Sequence, residues 1–201
     1  MRVFGLSDIE EITAAFDAGH ILAIPTDTVY GVAASLASPE AVARLFTLKQ
    51  RPVTVALPVL VASVDEALTL GVTWTTSAAI FAEAFWPGAL TIIVPAPRDV
   101  ARVVGADDTL GVRCPGDEAL RKLLSVTGPL AVTSANVHGQ PPCTSLADVQ
   151  SAFAGSDDLE GVIDGGKRTG AVSTVVDVTT TPFTIRRHGA IEAARLAALL
   201  G

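Results

Sequence analysis

The sequence has few of the residues on which many protein sites depend. Two cysteines, Cys114 and Cys143, occur among 201 residues, which is too few for a disulfide framework or a four-thiolate zinc site. The three histidines, His20, His138 and His188, are far apart and do not have the His-x-x-x-His spacing of a metal site. These absences argue against a secreted disulfide-rich fold and a zinc module, and they favour a reducing cytoplasm.

Common catalytic signatures are also missing. No Gly-x-x-x-x-Gly-Lys-Ser/Thr segment occurs, which excludes a Walker-type phosphate loop. No Gly-x-Ser-x-Gly elbow is present, so the usual nucleophile of an α/β-hydrolase is lacking as well. Any nucleotide site in this protein must therefore be built from a different set of loops.

Long apolar runs and basic residues are scarce. No apolar run reaches the roughly 18 residues of a membrane-spanning helix, and acidic residues begin at Asp8, before a signal-peptide core develops. We therefore expect neither a membrane span nor a signal peptide. The formal net charge is −7 and the pI is about 4.8, which argues against a constitutive nucleic-acid-binding surface but allows a local basic pocket.

A large apolar fraction is what the sequence does have. Apolar residues make up 49% of the chain and charged residues 17%, so most elements should be buried on at least one face, as in a sheet covered by helices. The length fits one mixed α/β domain spanning residues 1–201. Strands are predicted at 21–24, 55–61, 89–94, 109–113, 130–133, 161–163, 173–178 and 183–187, and a loop at 95–108. Helices are predicted after capping residues Ser7, Ser38, Ser63 and Ser145, and at 77–85, 117–126 and 191–200.

The stretch from Pro25 to Gly31 is the strongest candidate for a binding loop. Its apolar strand stops at Pro25, which cannot donate to a sheet ladder, and Gly31 allows a close approach of backbone. Between them, Thr26, Asp27 and Thr28 follow the carboxyl end of a strand, where open α/β sheets bind ligands. The alternative is a polar turn whose side chains only satisfy their own backbone.

Further polar and basic residues follow other predicted strands and helices. They are Lys49, Arg51, Thr91, Arg113, Ser134, Asn136, Ser173 and Arg187. Because lysine acts as a point charge and arginine as a bidentate fork for phosphate or carboxylate, this combination favours a phosphate-bearing ligand. Lys49 and Arg51 could instead be a solvated helix end, and Arg113 an exposed strand end. Ser134 and Asn136 could be turn formers.

Seven motifs carry a resemblance to a known family. They are 25–31 (PTDTVYG), 49–52 (KQRP), 86–91 (WPGALT), 111–115 (GVRCP), 133–136 (TSAN), 173–177 (STVVD) and 187–191 (RHGAI). Together, and in this order, they resemble the YrdC-like family, the threonylcarbamoyl-AMP synthases that begin the threonylcarbamoyladenosine (t6A) modification of tRNA. The motifs span nearly the whole chain. The resemblance implies an α/β, three-layer fold with a twisted mixed β-sheet around a basic concave cleft.

The resemblance also implies a reaction and a set of site residues. L-Threonine, bicarbonate or CO2, and ATP would give threonylcarbamoyl-AMP and pyrophosphate, with Mg²⁺ accompanying ATP and no metal ligand supplied by protein side chains. A downstream threonylcarbamoyl transferase and, indirectly or weakly, tRNA are the implied partners. By motif, the threonine would contact Thr28, Arg113 and Ser173. ATP or the adenylate would be surrounded by Lys49, Arg51, Thr91, Ser134, Asn136 and Arg187, with Lys49 and Arg51 as the catalytic residues.

Three positions depart from the family pattern. After Lys-x-Arg-Pro the family usually has a polar residue and then a proline, and often a histidine near threonine a few positions later. Val55, Ala56 and Leu60 occupy these places here. We therefore expect weaker phosphate contacts near Val55 and weaker threonine contacts near Leu60, with little consequence for the fold. The resemblance is to the short, free-standing type of the family, without an extra C-terminal domain.

Other functions remain open at this point. A paralogue with the same fold could act on another acyl or carbamoyl substrate, which the substitutions at Val55, Ala56 and Leu60 would support. A non-catalytic RNA-binding module would need only a basic cleft, but the net charge of −7 counts against it. The related domain of hydrogenase-maturation carbamoyltransferases fits less well, because this chain lacks the cysteines of their zinc fingers.

Overall fold

The computed structural model of the protein describes residues 1–52, 54–136, 139–168 and 170–200. Its strands are β1 (Arg2–Gly5), β2 (Ile21–Pro25), β3 (Tyr30–Ser35), β4 (Val59–Leu60), β5 (Leu90–Pro95), β6 (Thr109–Arg113), β7 (Leu130–Ser134), β8 (Leu159–Asp164), β9 (Thr174–Asp177) and β10 (Thr184–Arg187). Its helices are α1 (Ile9–Asp17), α2 (Pro39–Leu48), α3 (Val64–Thr69), α4 (Thr76–Phe85), α5 (Arg98–Val103), α6 (Glu118–Thr127), α7 (Leu146–Ala152) and α8 (Ala193–Leu200). None of the helices in the described ranges is long and apolar enough to cross a membrane.

The strands form one mixed sheet with the order β1-β8-β2-β3-β7-β4-β6-β5-β9-β10. Some neighbours run parallel, such as β4 with β6 and β5 with β9, and others antiparallel, such as β3 with β2 and β7. Gly31 near the start of β3 pairs with Ser134 at the end of β7. The loop between β2 and β3 and the turn after β7 therefore meet at one edge of the sheet.

Alternate residues along the central strands face two hydrophobic cores. In β2, Ile21 and Ala23 lie in the larger core and Leu22 and Ile24 in the smaller one, and all four are fully buried. Helices α2, α3, α4, α7 and α8 contribute side chains to the larger core, and α1 and α6 contribute to the smaller core. The sheet therefore lies between two helical layers, and the expected three-layer α/β architecture is confirmed.

The smaller core ends where a polar region of the same sheet face begins. Leu60 of β4 and Val132 of β7 belong to this core. Leu60 pairs with Arg113 at the end of β6, and Ser134 lies two residues beyond Val132, so these polar residues share the face. The same face of the sheet is thus apolar in the core and polar where β6 and β7 end.

Several element predictions are wrong. Strands β1 and β3 are missing from the predictions, and α5 lies within 95–108, which the sequence indicates to be a loop. The predicted strand 55–61 is a strand only at Val59–Leu60. The N–H of Val55 donates to the carbonyl of Pro52 and closes a turn. The described chain just before Pro58 therefore bends there and does not pair with a neighbouring strand.

The start of α1 also differs from the predicted capping box. Asp8, and not Ser7, precedes the helix, and its side chain makes no capping hydrogen bond. The Asp8 carboxylate instead accepts from the N–H of Gly5 at 2.8 Å and from the Ser7 hydroxyl at 3.3 Å. Side-chain caps are confirmed at Ser38, Ser63 and Ser145, and Asp117, predicted as the first residue of its helix, is the cap of α6.

Candidate functional site

One cavity brings together most of the residues that the sequence singles out. It lies where the β2–β3 loop meets the ends of β6, β7 and β10 and the starts of β5 and β9. Its polar lining consists of Thr26, Thr28, Arg51, Thr91, Arg113, Thr133, Ser134, Ser173 and Arg187. Its apolar lining includes Val29, Pro58, Leu60, Val132 and Val172.

The two threonines of the β2–β3 loop form a short hydrogen-bonded chain. Thr26 Oγ1 donates to the carbonyl of Val29 at 2.7 Å and lies 2.8 Å from Thr28 Oγ1. Because Thr26 has already used its hydroxyl hydrogen, Thr28 is the donor in this second contact. The polar-turn alternative is thus correct for Thr26, whereas Thr28 keeps acceptor capacity towards the cavity.

Arg113 is a fixed cation at the cavity wall. It is 6% exposed, and its Nε donates to the carbonyl of Gly88 at 2.9 Å. Its Nη1 donates to Thr28 Oγ1 at 3.3 Å, and its Nη2 donates to Oδ1 of Asp27 at 2.6 Å. Burial lowers the pKa of Arg113, and the charge of Asp27 opposes this change. The exposed strand-end alternative for Arg113 is therefore wrong.

Arg187, Ser173 and Thr91 form a second polar group. Arg187 Nε donates to the carbonyl of Ser173 at 3.0 Å, and its Nη2 donates to Ser173 Oγ at 2.8 Å. Ser173 Oγ lies 3.1 Å from Thr91 Oγ1. Burial lowers the pKa of Arg187, and the positive charges of Arg113 and Arg51 lower it further. The three arginines are close enough to interact, so an anion among them would be stabilised.

Arg51 reaches the cavity from the C-terminal end of α2. The chain leaves the helix through Gln50, whose φ of 49° is in the left-handed region, and the N–H of Arg51 donates to the carbonyl of Phe46. Arg51 Nε donates to the carbonyl of Val55 at 2.8 Å, and its Nη2 donates to that of Ala56 at 3.1 Å. Two of the three residues that depart from the family pattern, Val55 and Ala56, thus accept hydrogen bonds from Arg51 with their backbone carbonyls.

Lys49 is enclosed behind the cavity. It is 2% exposed, and its Nζ donates to the carbonyls of Ser134 and Asn136, both at 2.5 Å, and to Oδ1 of Asn136 at 2.7 Å. These contacts use all three hydrogens of the ammonium group. The solvated helix-end alternative is therefore wrong for Lys49, which ties the end of α2 to the turn after β7.

Burial changes the ionisation of two groups in this region. It lowers the pKa of Lys49 from 10.5 to about 8, with a smaller contribution from the charge of Arg51. It raises the pKa of Cys143 to about 11, so this thiol stays neutral. The Lys49 ammonium consequently becomes neutral at a mildly alkaline pH.

The turn after β7 links Lys49 to the cavity. Ser134 Oγ donates to Asn136 Oδ1 at 2.6 Å, and Asn136 Nδ2 donates to the carbonyl of Gln140 at 2.7 Å. Ser134 lines the cavity, while Lys49 and Asn136 contact it from behind. Of the predicted site residues, seven therefore line the cavity directly: Thr28, Arg51, Thr91, Arg113, Ser134, Ser173 and Arg187.

Sequence reasoning missed two supports of the site. The sequence identifies Asp27 as a polar loop residue, but not as the partner of Arg113. Tyr30 is fully buried, and its hydroxyl accepts from the N–H of Gly165 at 3.1 Å and donates to the carbonyl of Gly166 at 2.9 Å. Both residues lie within the 25–31 motif, but their partners are more than eighty residues away, so no local pattern identifies them.

Asp27 lies between two threonines that line the cavity, and its carboxylate is already engaged. Asp27 forms an ion pair with Arg113, and the side chains are 20% and 7% exposed respectively. The described part of the chain has no group of three or more His, Cys, Asp or Glu residues that could hold a metal ion. The cavity therefore presents hydroxyls, amides and guanidinium groups to a ligand.

Comparison with known proteins agrees with this arrangement. The model of the Sua5/YciO/YrdC family, described as telomere recombination, matches residues 14–189. A threonylcarbamoyl-AMP synthase of Pyrococcus abyssi is 37% identical over 186 residues, covering 91% of this chain and 54% of the relative. A putative threonylcarbamoyl-AMP synthase of Mycobacterium leprae is 38% identical over 196 residues, covering 96% of this chain and 88% of the relative.

A solved structure shows the same fold. The crystal structure of P. abyssi Sua5 complexed with L-threonine matches with a TM-score of 0.93 and 33% identity, covering 100% of this chain and 61% of that one. This chain thus spans about half the length of the P. abyssi synthase sequence. The family match over most of the chain and the common fold confirm the resemblance drawn from the seven motifs. The chain belongs to the Sua5/YciO/YrdC family.

Proposed function

We propose that this protein is an L-threonylcarbamoyladenylate synthase, a nucleotidyltransferase that makes threonylcarbamoyl-AMP and pyrophosphate from L-threonine, bicarbonate or CO2, and ATP. One observation carries the proposal: Arg51, Arg113 and Arg187 converge on one cavity lined with hydroxyl groups. Within the described ranges, ion pairs involve Arg113 but neither Arg51 nor Arg187. This excess of positive charge favours a polyanionic ligand such as ATP.

The geometry suggests a division of the cavity between the two substrates. Arg113 contacts Thr28 of the β2–β3 loop, and both residues line the cavity. We therefore assign to these two residues and to Ser173 the carboxylate and the other polar groups of threonine. Arg51 and Arg187, with Thr91 and Ser134, are assigned to the phosphates and the adenylate. Lys49 and Asn136 support this second group through the Ser134 turn.

The proposed reaction requires positioning more than covalent catalysis. The threonine amine takes up CO2 and releases a proton to give a carbamate. A carbamate oxygen then attacks the α-phosphorus of ATP, and the bond to the β-phosphate oxygen breaks, so pyrophosphate leaves. Juxtaposed substrates and fixed cations are what such a step needs, since charge builds up on the phosphate oxygens.

Mg²⁺ belongs to this proposal as part of the substrate. Among the residues described, the cavity lining includes no Asp or Glu, and the carboxylate of the neighbouring Asp27 is paired with Arg113, which is a poor arrangement for a protein-bound divalent cation. Mg²⁺ would therefore arrive with ATP, held by the phosphate oxygens. Arg51 and Arg187 would neutralise the negative charge of the ATP phosphates that Mg²⁺ does not offset.

The product would be used in the cytoplasm by a threonylcarbamoyl transferase acting on tRNA. The net charge of −7 fits this indirect relation to tRNA, because non-specific nucleic-acid binding depends on basic surface. The names of the P. abyssi and M. leprae relatives support the same pathway.

One observation favours a second candidate, a synthase for a different amine or acyl substrate. Leu60 lines the cavity beside Pro58 and Val132, so part of the wall is apolar where the family often has a histidine. An apolar wall tolerates substrates that lack a hydroxyl group. We place this candidate second, because the polar residues assigned to threonine are all present.

The test is direct. Purified protein is incubated with Mg²⁺, ATP, bicarbonate and L-threonine, and threonylcarbamoyl-AMP is sought by mass spectrometry while pyrophosphate release is followed. We expect both products only when threonine is present. Pyrophosphate release that depends on another amine would support the second candidate, and no release with any amine would refute both.

A further inference from the structure

A partly buried ion pair lies outside the cavity and has no part in the proposed reaction. Arg168 Nη1 contacts Oδ2 of Asp117 at 2.8 Å, and the two side chains are only 16% and 14% exposed. Asp117 also caps α6, because its Oδ1 accepts from the N–H of Leu120 at 2.9 Å. The pair therefore joins the segment after β8 to the beginning of α6.

The guanidinium group of Arg168 is not fully hydrogen-bonded. Its Nη2 donates to the carbonyl of Gly165 at 2.7 Å, but its Nε is buried and has no hydrogen-bond partner within the described ranges. An unsatisfied buried donor is unfavourable. This suggests that the place of Arg168 is set by the segments that it holds together.

Near each residue of the ion pair, a glycine lies close to Asp27. Gly116 precedes Asp117, and a Cβ atom at Gly116 would lie 2.9 Å from Oδ2 of Asp27. Gly170 follows Arg168 by two residues, and a Cβ atom there would lie 2.7 Å from the carbonyl oxygen of Asp27. Asp27 is thus enclosed between two backbone segments that the ion pair draws together.

Asp27 in turn sets the orientation of Arg113, which its Oδ1 contacts at 2.6 Å. We propose that the Arg168–Asp117 ion pair is a positioning element that holds Asp27 and thereby orients the Arg113 guanidinium in the cavity. The identity of the group that Arg113 binds, the threonine carboxylate, rests on the proposed function. The positioning itself depends only on the contacts in the protein.

The experiment compares four variants. Arg168→Met removes the charge but keeps much of the side-chain bulk, Arg168→Lys keeps the charge, and Asp117→Asn keeps a helix-capping side chain without the charge. Lys122→Met is the matched control, because Lys122 forms an ion pair with Glu118 on α6 in which the side chains are 69% and 73% exposed.

The first measurement does not depend on activity. The ¹⁵N signal of Arg113 Nε, assigned by its loss in Arg113→Lys, reports the surroundings of this guanidinium. We expect it to move in Arg168→Met and Asp117→Asn, to return towards the wild-type position in Arg168→Lys, and to stay unchanged in Lys122→Met. A signal that stays unchanged in both Arg168→Met and Asp117→Asn would overturn the proposal, whatever reaction the protein catalyses.

The second measurement separates positioning from general damage. Arg168→Met should raise the KM for threonine about tenfold or more, with less than about a twofold change in the KM for ATP, because a displaced guanidinium affects one substrate. In an Arg113→Ala background the same change should add little, since the two act through one group. Equal rises in both KM values, or full additivity, would overturn the proposal. Absence of product in the wild type would refute the proposed function alone, because the Arg113 signal would still decide the positioning.

Discussion

Lys49 and Arg51 are two residues apart but occupy different surroundings. Gln50 between them adopts a left-handed conformation, and the turn directs Lys49 inward and Arg51 towards the cavity. Lys49 makes contacts that only the folded chain can offer, whereas Arg51 donates to carbonyls four and five residues away. The two cations should therefore respond differently to substitution.

We predict that Lys49→Met lowers the free energy of unfolding by about 2–3 kcal/mol, because the carbonyls of Ser134 and Asn136 lose the ammonium donor, while Asn136 Oδ1 keeps only the Ser134 hydroxyl of its two described donors. Arg51→Met should lower it by less than about 1 kcal/mol. Urea denaturation measures both, with Lys122→Met as an exposed-lysine control. Both variants should lose adenylate formation, and a Lys49→Met protein as stable as the wild type would contradict the enclosed position of Lys49.

The burial of Lys49 also leads us to predict that the free energy of unfolding depends on pH. Its pKa of about 8 in the folded protein lies below its ordinary value of 10.5. Between these values the unfolded chain binds the proton and the folded protein does not, so the contribution of Lys49 to the free energy of unfolding rises with pH in that window. Arg51, Cys143 and Asp148 are the ionisable neighbours that influence this region.

Activity should follow the opposite trend. If the charged ammonium holds the Ser134 turn, kcat/KM will fall as the pH rises through about 8, the pKa of Lys49. The pH profile of Lys49→Arg, which stays charged, should keep its plateau to a higher pH. An unchanged alkaline limb in that variant would assign the limb to another group.

Leu60 provides a test of the amino-acid part of the cavity. It is 3% exposed and lines the cavity beside Arg113, with which it pairs across β4 and β6. Leu60→His should tighten threonine binding by between about twofold and tenfold, the value of one neutral hydrogen bond of about 0.5–1.5 kcal/mol. Calorimetry with a non-hydrolysable ATP analogue measures the affinity. Unchanged or weaker binding would mean that position 60 does not contact threonine.

At the scale of the elements, the pairing of β3 with β7 places the binding loop against the Ser134 turn. Gly31 makes this close approach possible, because a Cβ atom there would lie 2.7 Å from Cγ1 of Val132 and 3.1 Å from the carbonyl oxygen of Thr133. The backbone at this position has no room for a side chain. The separation of the two strands therefore depends on one glycine.

Gly31→Ala should destabilise the protein by about 1–3 kcal/mol through overpacking between β3 and β7. Gly111→Ala in β6 is the matched control, since its Cβ atom would lie 3.4 Å from Cγ2 of Thr91, an ordinary contact. Its effect should stay within about 1 kcal/mol. Chemical denaturation of the two variants decides the matter, and similar losses in both would contradict a special role for Gly31.

At the scale of the whole molecule, the protein is acidic although several arginines meet at one cavity. The net charge is −7, while three arginines line one site. A bound anion should therefore stabilise the fold by reducing the repulsion among the arginines of the cavity. The prediction that residues 1–201 form a single domain stays a prediction, although one sheet includes strands from Arg2 to Arg187.

Mg²⁺ with a non-hydrolysable ATP analogue and L-threonine should raise the free energy of unfolding, by about 2.7 kcal/mol for a ligand at 100 times its Kd. The effect of the nucleotide should weaken as sodium chloride is added, because salt screens the arginine–phosphate attraction. Thermal unfolding with and without each ligand measures this. A nucleotide effect that is independent of salt would argue against phosphate binding by Arg51 and Arg187.

Features that depend on neighbouring residues can be predicted from the sequence. The apolar run before Pro25, the cap at Ser38 and the ordered motifs are local, so they can be recognised without a fold. The enclosure of Lys49, the pairing of Asp27 with Arg113 and the existence of β3 become visible only in the folded chain. Their partners are distant in sequence, since Asp27 and Arg113 are 86 residues apart and Lys49 and Asn136 are 87 apart. Such contacts follow from strand order and register, which no local pattern specifies.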